Sequence, residues 1–379
     1  MNNARLNILD GFRCVAIVAV LFFHFYSKWT LPVPEENYLP GKNVFHTFAF
    51  EHGNLGVQFF FIISGFVIFF TLERSHSLIA FLIKRMIKLF PTMVICSLIT
   101  YLLVPMLDPS LEYPNFHSNA IDFAPSLTFT PPSLWQRILH NPNIQYINGS
   151  YWSLWPEVVF YFVSAGTYFL NKEKFIRNWF VIIFAALLVN TVALAINGWN
   201  LDVRPFLPGT RNHLYFSLGI IFYCLYDRRH VPTFSYLTLA LLGVFTLMYS
   251  DTAQKIALVV MIGLFLLFIY KEEYLSFFKW RLFTSVGLVS YSLYLIHENI
   301  GVVLINKITD FTGVNFFIYV LPLLVSALFF AFSIILFNVY EKPVDKFLKT
   351  LFRKQLHPIN KPVTSHTSAK EKVTAPAST

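Results

Sequence analysis

About ten stretches of this chain are apolar over close to the roughly 20 residues a helix needs to cross hydrocarbon, and no other feature limits the fold so severely. They run Ile8–Tyr26, Gly56–Leu72, Leu89–Leu107, Ser153–Leu170 and Trp179–Ile196, then His213–Tyr226, Phe234–Tyr249, Ala257–Tyr270, Phe283–Asn306 and Phe316–Tyr340. Backbone amides in lipid have no water to bond, so each run must satisfy its own backbone as a helix. The expectation is an all-α polytopic membrane protein, a bundle of about ten transmembrane helices. Composition agrees: 56% of residues are hydrophobic and 13% charged, about half the charged share of a soluble domain. Soluble, disordered, collagen-like and disulfide-stapled classes are excluded. Cys14, Cys96 and Cys224 each sit inside an apolar run with no CxxC or ligand spacing, so neither a disulfide nor a metal is expected.

The net charge of +9 is a matter of topology before it is a matter of partners. With the N-terminus inside, the connections after the second, fourth, sixth and eighth spans and the C-terminal segment carry most of the Lys and Arg. They outnumber those on the other side roughly three to one, which fits the positive-inside rule with both termini cytoplasmic. The charge thus follows from orientation, and no nucleic-acid partner is called for. Nor is the first span a signal peptide, because its apolar core carries Arg13 and His24 and no small-residue cleavage site follows. Two outer connections, Ser27–Leu55 and Asp108–Trp152, are long enough to carry function. Residues 1–350 are expected to form one membrane domain. Residues 351–379, rich in Thr, Ser, Lys and Pro, are expected to be a disordered cytoplasmic tail.

Ionisable groups inside spans cost a few kcal/mol each on insertion scales, so each is a functional candidate. The first span holds Asp10, Arg13 and His24. Eleven positions separate Arg13 from His24, which puts them about 20° apart around a helix and roughly 16 Å apart along it. Arg13 would lie near the cytoplasm and His24 in the outer half. Ser153 is placed to cap the fourth span, with Glu157 just inside the membrane at the depth of His24. The ninth span brings His297 and Glu298 to the same level. Two histidines and two carboxylates at one depth suit proton transfer. Lys84, Arg85 and Lys88, just before Pro91, could hold phosphates. The blander alternative stays open at this point: Arg13 and the Lys84–Lys88 cluster as interfacial anchors, His24 as an interfacial residue, the carboxylates facing water.

Six motifs in order now carry a resemblance. They are Leu9-Asp10-Gly11-Phe12-Arg13 with Phe23-His24, then Gly56-Val57-Gln58-Phe59-Phe60 through Ser64-Gly65-Phe66, and Lys84-Arg85 through Lys88 and Pro91. Trp152-Ser153-Leu154 with Glu157, Ser290-Tyr291-Ser292-Leu293-Tyr294-Leu295-Ile296-His297, and Tyr340-Glu341-Lys342-Pro343 complete the set. Together, across about 330 residues, they resemble acyltransferase family 3, bacterial membrane enzymes that acylate carbohydrates from acyl-CoA. Lys84 and Lys88 stand where the family has arginine, keeping the charge without the bidentate fork. Gln58 stands where it often has Asp.

The resemblance implies transfer of an acyl group, most often acetyl, from acyl-CoA to a carbohydrate hydroxyl in the bacterial inner membrane. His24 would take the hydroxyl proton while Glu157 orients its ring. Arg13, Arg85 and Lys88 would hold the CoA phosphates, and Asp10, Ser64, Ser153 and His297 would support the site. Arg13 and His24 would mark opposite ends of one donor channel; direct transfer and an acyl-enzyme relay are both open. The acceptor would be O-antigen, exopolysaccharide or another glycan, reached at the lipid surface. The rival function is a transporter of sugars or lipid-linked glycans, since intramembrane charges suit proton coupling equally. Against it stands the lack of a repeat between the halves. A histidine-box oxidoreductase fails because no HxxxH or HxxHH spacing occurs.

Overall fold

The computed structural model describes residues 3–28, 48–109, 119–195, 211–248, 250–312 and 317–356. Among these residues there are helices and turns but no strand. The principal helices are α1 (Asn3–Phe23), α2 (Gly56–Glu73), α3 (Leu78–Leu107), α4 (Leu154–Leu170), α5 (Phe175–Ala195) and α6 (Arg211–Tyr226). They continue with α7 (Thr233–Met248), α8 (Thr252–Tyr270), α9 (Arg281–Leu288), α10 (Ser290–Thr312), α11 (Phe317–Leu336) and α12 (Lys342–Leu351). Most of the expected tail, residues 357–379, and residues 29–47 and 110–118 of the two long connections lie outside the described residues. The first residues of that tail, Arg353–Leu356, form a short helix.

Five spans among the described residues are long and apolar enough to cross a membrane: Asn7–Lys28, Gly53–Glu73, Leu78–Leu107, Thr252–Tyr270 and Val320–Leu351. A sixth is the pair α9 and α10, bent by 70° at its break. This is fewer than the expected count of about ten. α6 and α7 have 16 residues each among those described and border residues 196–210 and 249, which lie outside them. The described residues form an all-helical integral membrane bundle.

Close packing centres on α1 and α2. Gly65 of α2 lies against the backbone of Phe216 in α6, where a Cβ would come 2.9 Å from the Phe216 carbonyl carbon and nearer still to its oxygen. Gly219 returns the contact, with a Cβ there meeting Phe66 N at 2.7 Å and the Ile62 oxygen more closely. Small residues let membrane helices approach to backbone contact, where dispersion and packing replace the missing hydrophobic drive. Beside Arg13, the Phe12 ring is enclosed by Phe278 at 5.2 Å, Phe59 at 5.3 Å and Phe265 at 5.5 Å between centroids. These tilted and edge-on arrangements are the ones the aromatic quadrupole favours.

Pro91 does not open the third span as expected. α3 starts at Leu78, with Ser77 as its cap accepting from the Ala80 amide at 3.2 Å, and runs through Pro91. Neighbouring groups in a membrane bundle can tolerate such a proline. Lys84, Arg85 and Lys88 therefore sit on a helix, not in the loop before one. The connection ahead of α4 is folded onto the bundle. Asp122 Oδ1 accepts the Gln145 amide at 2.9 Å and Ser126 Oγ accepts the Ile147 amide at 3.0 Å. Buried Asn148 donates Nδ2 to the Leu295 carbonyl at 3.1 Å. That bond fixes the connection to α10 beside the residues described next.

Candidate active site

One cleft, enclosing about 880 Å³ of space including its open mouth, gathers Arg13 of α1, Ser64 of α2, Arg85 and Lys88 of α3, and Glu157 and Tyr161 of α4. Ser153 and Tyr294 line it as well. Arg13 is oriented by Asp10, one helical turn earlier, at 3.0 Å. Arg85 Nη2 donates to Thr71 Oγ1 at 2.8 Å, while its Nε is buried with no hydrogen-bond partner. An orphaned guanidinium donor beside two further cations suits an anionic group with several oxygens, such as a phosphate.

Glu157 belongs to this cationic cleft. Its Oε1 accepts from Ser64 Oγ at 2.8 Å and from Tyr161 OH at 2.5 Å. The expected pairing of Glu157 with the His24 ring is not what the structure builds. The carboxylate near His24 is Glu298, whose Oε1 lies 3.6 Å from His24 Nε2. Ser153 likewise precedes α4 without capping it through its side chain. Its Oγ instead donates to Tyr294 OH at 2.8 Å, whose own proton goes to the Ser150 carbonyl.

The histidines form a second cluster, apart from the cleft lining. α1 ends in a single π-helical turn, His24–Lys28, a local widening common at functional sites. His24 Nδ1 lies 2.7 Å from His297 Nε2, and His297 Nδ1 lies 2.7 Å from the Tyr294 carbonyl. A carbonyl only accepts, so His297 donates from Nδ1 and its Nε2 must accept. In the neutral pair His24 then donates from Nδ1, which leaves Nε2 as its basic atom. Lys28 Nζ stands 3.5 Å from that nitrogen and is bonded to Glu298 Oε1. Between cleft and cluster stands Tyr294. Its ring is 5.5 Å from that of His297, and its hydroxyl also donates to the Ser150 carbonyl at 2.8 Å. Among the described residues, His24 and His297 are not part of the cleft lining that includes Arg13.

Lys28, Tyr161 and Tyr294 were not among the residues expected from sequence. Lys28 carried a usable signal, since it lies four positions after His24. The tyrosines carried a weaker one, standing inside motif stretches, Tyr294 in Ser290–His297 and Tyr161 four positions after Glu157, in runs where aromatics are common throughout. Outside the spans, Tyr151 packs beneath the site with its hydroxyl accepting from Ser97 Oγ at 3.4 Å. Burial pushes its phenol well above the ordinary tyrosine range, so it acts as a neutral hydroxyl.

Over residues 6–336 the chain matches the family described as an acyltransferase domain. It is 32% identical over 177 residues to the O-acetyl transferase of Shigella phage Sf6. That alignment covers 45% of this chain and 49% of the phage protein, so the chain matches about half the relative's length. No solved structure matches it.

Proposed function

We propose that this chain, which belongs to the acyltransferase domain family, is a membrane O-acyltransferase that moves an acetyl group from acetyl-CoA to a hydroxyl of a surface carbohydrate. The observation that carries the reading is the convergence of Arg13, Arg85 and Lys88 on one cleft, with a buried Arg85 donor left unpaired. Those three cations would hold the phosphates of acyl-CoA at the cytoplasmic side of the inner membrane. The pantetheine arm would then run past Glu157 toward Ser153 and Tyr294, the lining residues beside the histidine pair.

Transfer would proceed at His24. The acceptor oxygen attacks the thioester carbonyl as its proton passes to His24 Nε2. The carbon–sulfur bond breaks with its electron pair going to sulfur, and the proton is returned to the departing thiolate. His297 holds His24 in the tautomer this needs. The bilayer around the cleft limits water, which slows hydrolysis of the thioester. The phage relative supports acetyl as the group moved.

The test uses purified full-length protein in nanodiscs with radiolabelled acetyl-CoA and surface polysaccharide from cells lacking the gene. Wild-type protein is expected to release CoA and label the polysaccharide. His24→Ala should abolish labelling while keeping acetyl-CoA affinity. Full labelling by His24→Ala would remove His24 as the base.

A further inference from the structure

The face of His24 turned away from His297 holds an unusual set of groups. Nε2 is the nitrogen left basic by the hydrogen-bond chain through His297, and it faces Lys28 Nζ at 3.5 Å and Glu298 Oε1 at 3.6 Å. Glu298 is wholly buried, and its other oxygen, Oε2, makes no hydrogen bond with any described residue. The Ser150 amide is turned toward this carboxylate, but its formed hydrogen bond goes to Asn148 Oδ1 at 3.0 Å. A buried carboxylate oxygen left without a donor is costly unless a ligand supplies one. Among the three side chains Lys28 is the one that reaches outward, 34% exposed against 8% for His24. The way from His24 to the surroundings therefore passes the ammonium group.

We infer that His24 Nε2, Lys28 and Glu298 form the acceptor subsite, and that this subsite takes two neighbouring hydroxyls of one sugar ring. The inference rests on the acyl-transfer reading above and adds where the acceptor sits. One hydroxyl has one proton to donate, so two separate acceptor atoms call for two hydroxyls. The first donates to His24 Nε2 and is the one acylated. The second donates to Glu298 Oε2. The Lys28 ammonium donates toward their oxygens, holding the attacking atom in place and favouring the negative charge it develops. Glu298 is not the base here, since its Oε1 is engaged by Lys28. Its part is to position the diol. The acceptor and the donor thus approach from different sides, the donor through the cationic cleft and the acceptor past Lys28.

The experiment measures acceptor KM, kcat and acetyl-CoA affinity on the full-length protein in nanodiscs. The acceptor probe is surface polysaccharide from cells lacking the gene, used intact or after periodate treatment, which cleaves vicinal diols. Lys28→Met should raise the polysaccharide KM roughly tenfold or more, as expected for loss of a charge-assisted hydrogen bond, with acetyl-CoA affinity within about twofold. Lys28→Arg should recover part of the loss. Glu298→Gln should raise the KM as well, and wild-type protein should fail to acetylate the periodate-treated polymer. An unchanged KM in Lys28→Met overturns the subsite, and equal use of intact and oxidised polymer overturns the diol. Should Lys28→Met not fold, Lys28→Arg and the periodate arm decide. Absence of acetyl-CoA turnover by the wild type would instead bring down the acyl-transfer reading itself.

Discussion

Replacing Gly65 with alanine should damage both stability and turnover. The added Cβ would sit 2.9 Å from the Phe216 carbonyl carbon and closer to its oxygen, whereas carbon atoms pack best at about 3.5–4.0 Å. Both obstacles are helix backbone, which cannot rotate aside, so α2 and α6 must separate by something on the order of 1 Å. Overpacking of this kind costs about 1–3 kcal/mol. The shift would also carry Ser64, the preceding residue, away from Glu157. A hydrogen bond of 2.8 Å stretched by that amount is no longer one. Displacements of about 1 Å at a catalytic site can cost roughly a hundredfold in rate. Thermal unfolding in nanodiscs, with acetyl-CoA turnover on the same samples, measures both effects. Gly263→Ala is the control, since a Cβ there meets nothing within 4 Å. If Gly65→Ala melts and turns over like Gly263→Ala, the backbone contact is not the constraint described.

Arg13→Ala should weaken acetyl-CoA binding by roughly 10- to 150-fold, the range for losing one charged hydrogen bond. Arg13→Lys should fall between; equilibrium dialysis against labelled acetyl-CoA measures both. Asn148→Ala strips the buried Leu295 carbonyl and the Ser150 amide of their partners, so unfolding free energy should drop by about 2–4 kcal/mol, read from the thermal midpoint. For topology, the three native cysteines are buried, which makes added ones readable. A membrane-impermeant thiol reagent on intact cells should label Asn143→Cys and spare Lys174→Cys, and the reverse pattern would invert the proposed orientation.

The helical class and most of the charged residues were legible because burying charge in an apolar run is costly enough to mark each one. Arg13, Glu157, His24 and His297 stood out that way, whereas Arg85 and Lys88 were placed ahead of the third span and singled out by the family motif. What the pattern could not yield was which of them meet. Placing Glu157 and His24 at one depth is a statement about distance along two helix axes. It leaves open the rotation that turns Glu157 toward Ser64 and Tyr161 while Glu298 turns toward His24. The π-helical turn at His24–Lys28 also escaped, since no residue type specifies it. Span counting meets a limit for a related reason. Apolarity identifies a segment that avoids water, and a short helix enclosed by others avoids it as well as one that crosses the bilayer. α6 is such a case, with Leu214 through Cys224 buried without interruption.

The anchored Tyr294 ring bears on the energy economy of the cell. A passage open from the cytoplasm through the cationic cleft to the outer surface would let protons and small ions run down their gradient with every molecule of enzyme made. Tyr294 is fastened by Ser153 and by the Ser150 carbonyl, with the histidine pair on its far side. In the proposed orientation that arrangement would serve as electrical insulation. The donor's far end would meet hydrogen-bonded side chains in place of an open pore, so that the bilayer could host this chemistry without becoming leaky.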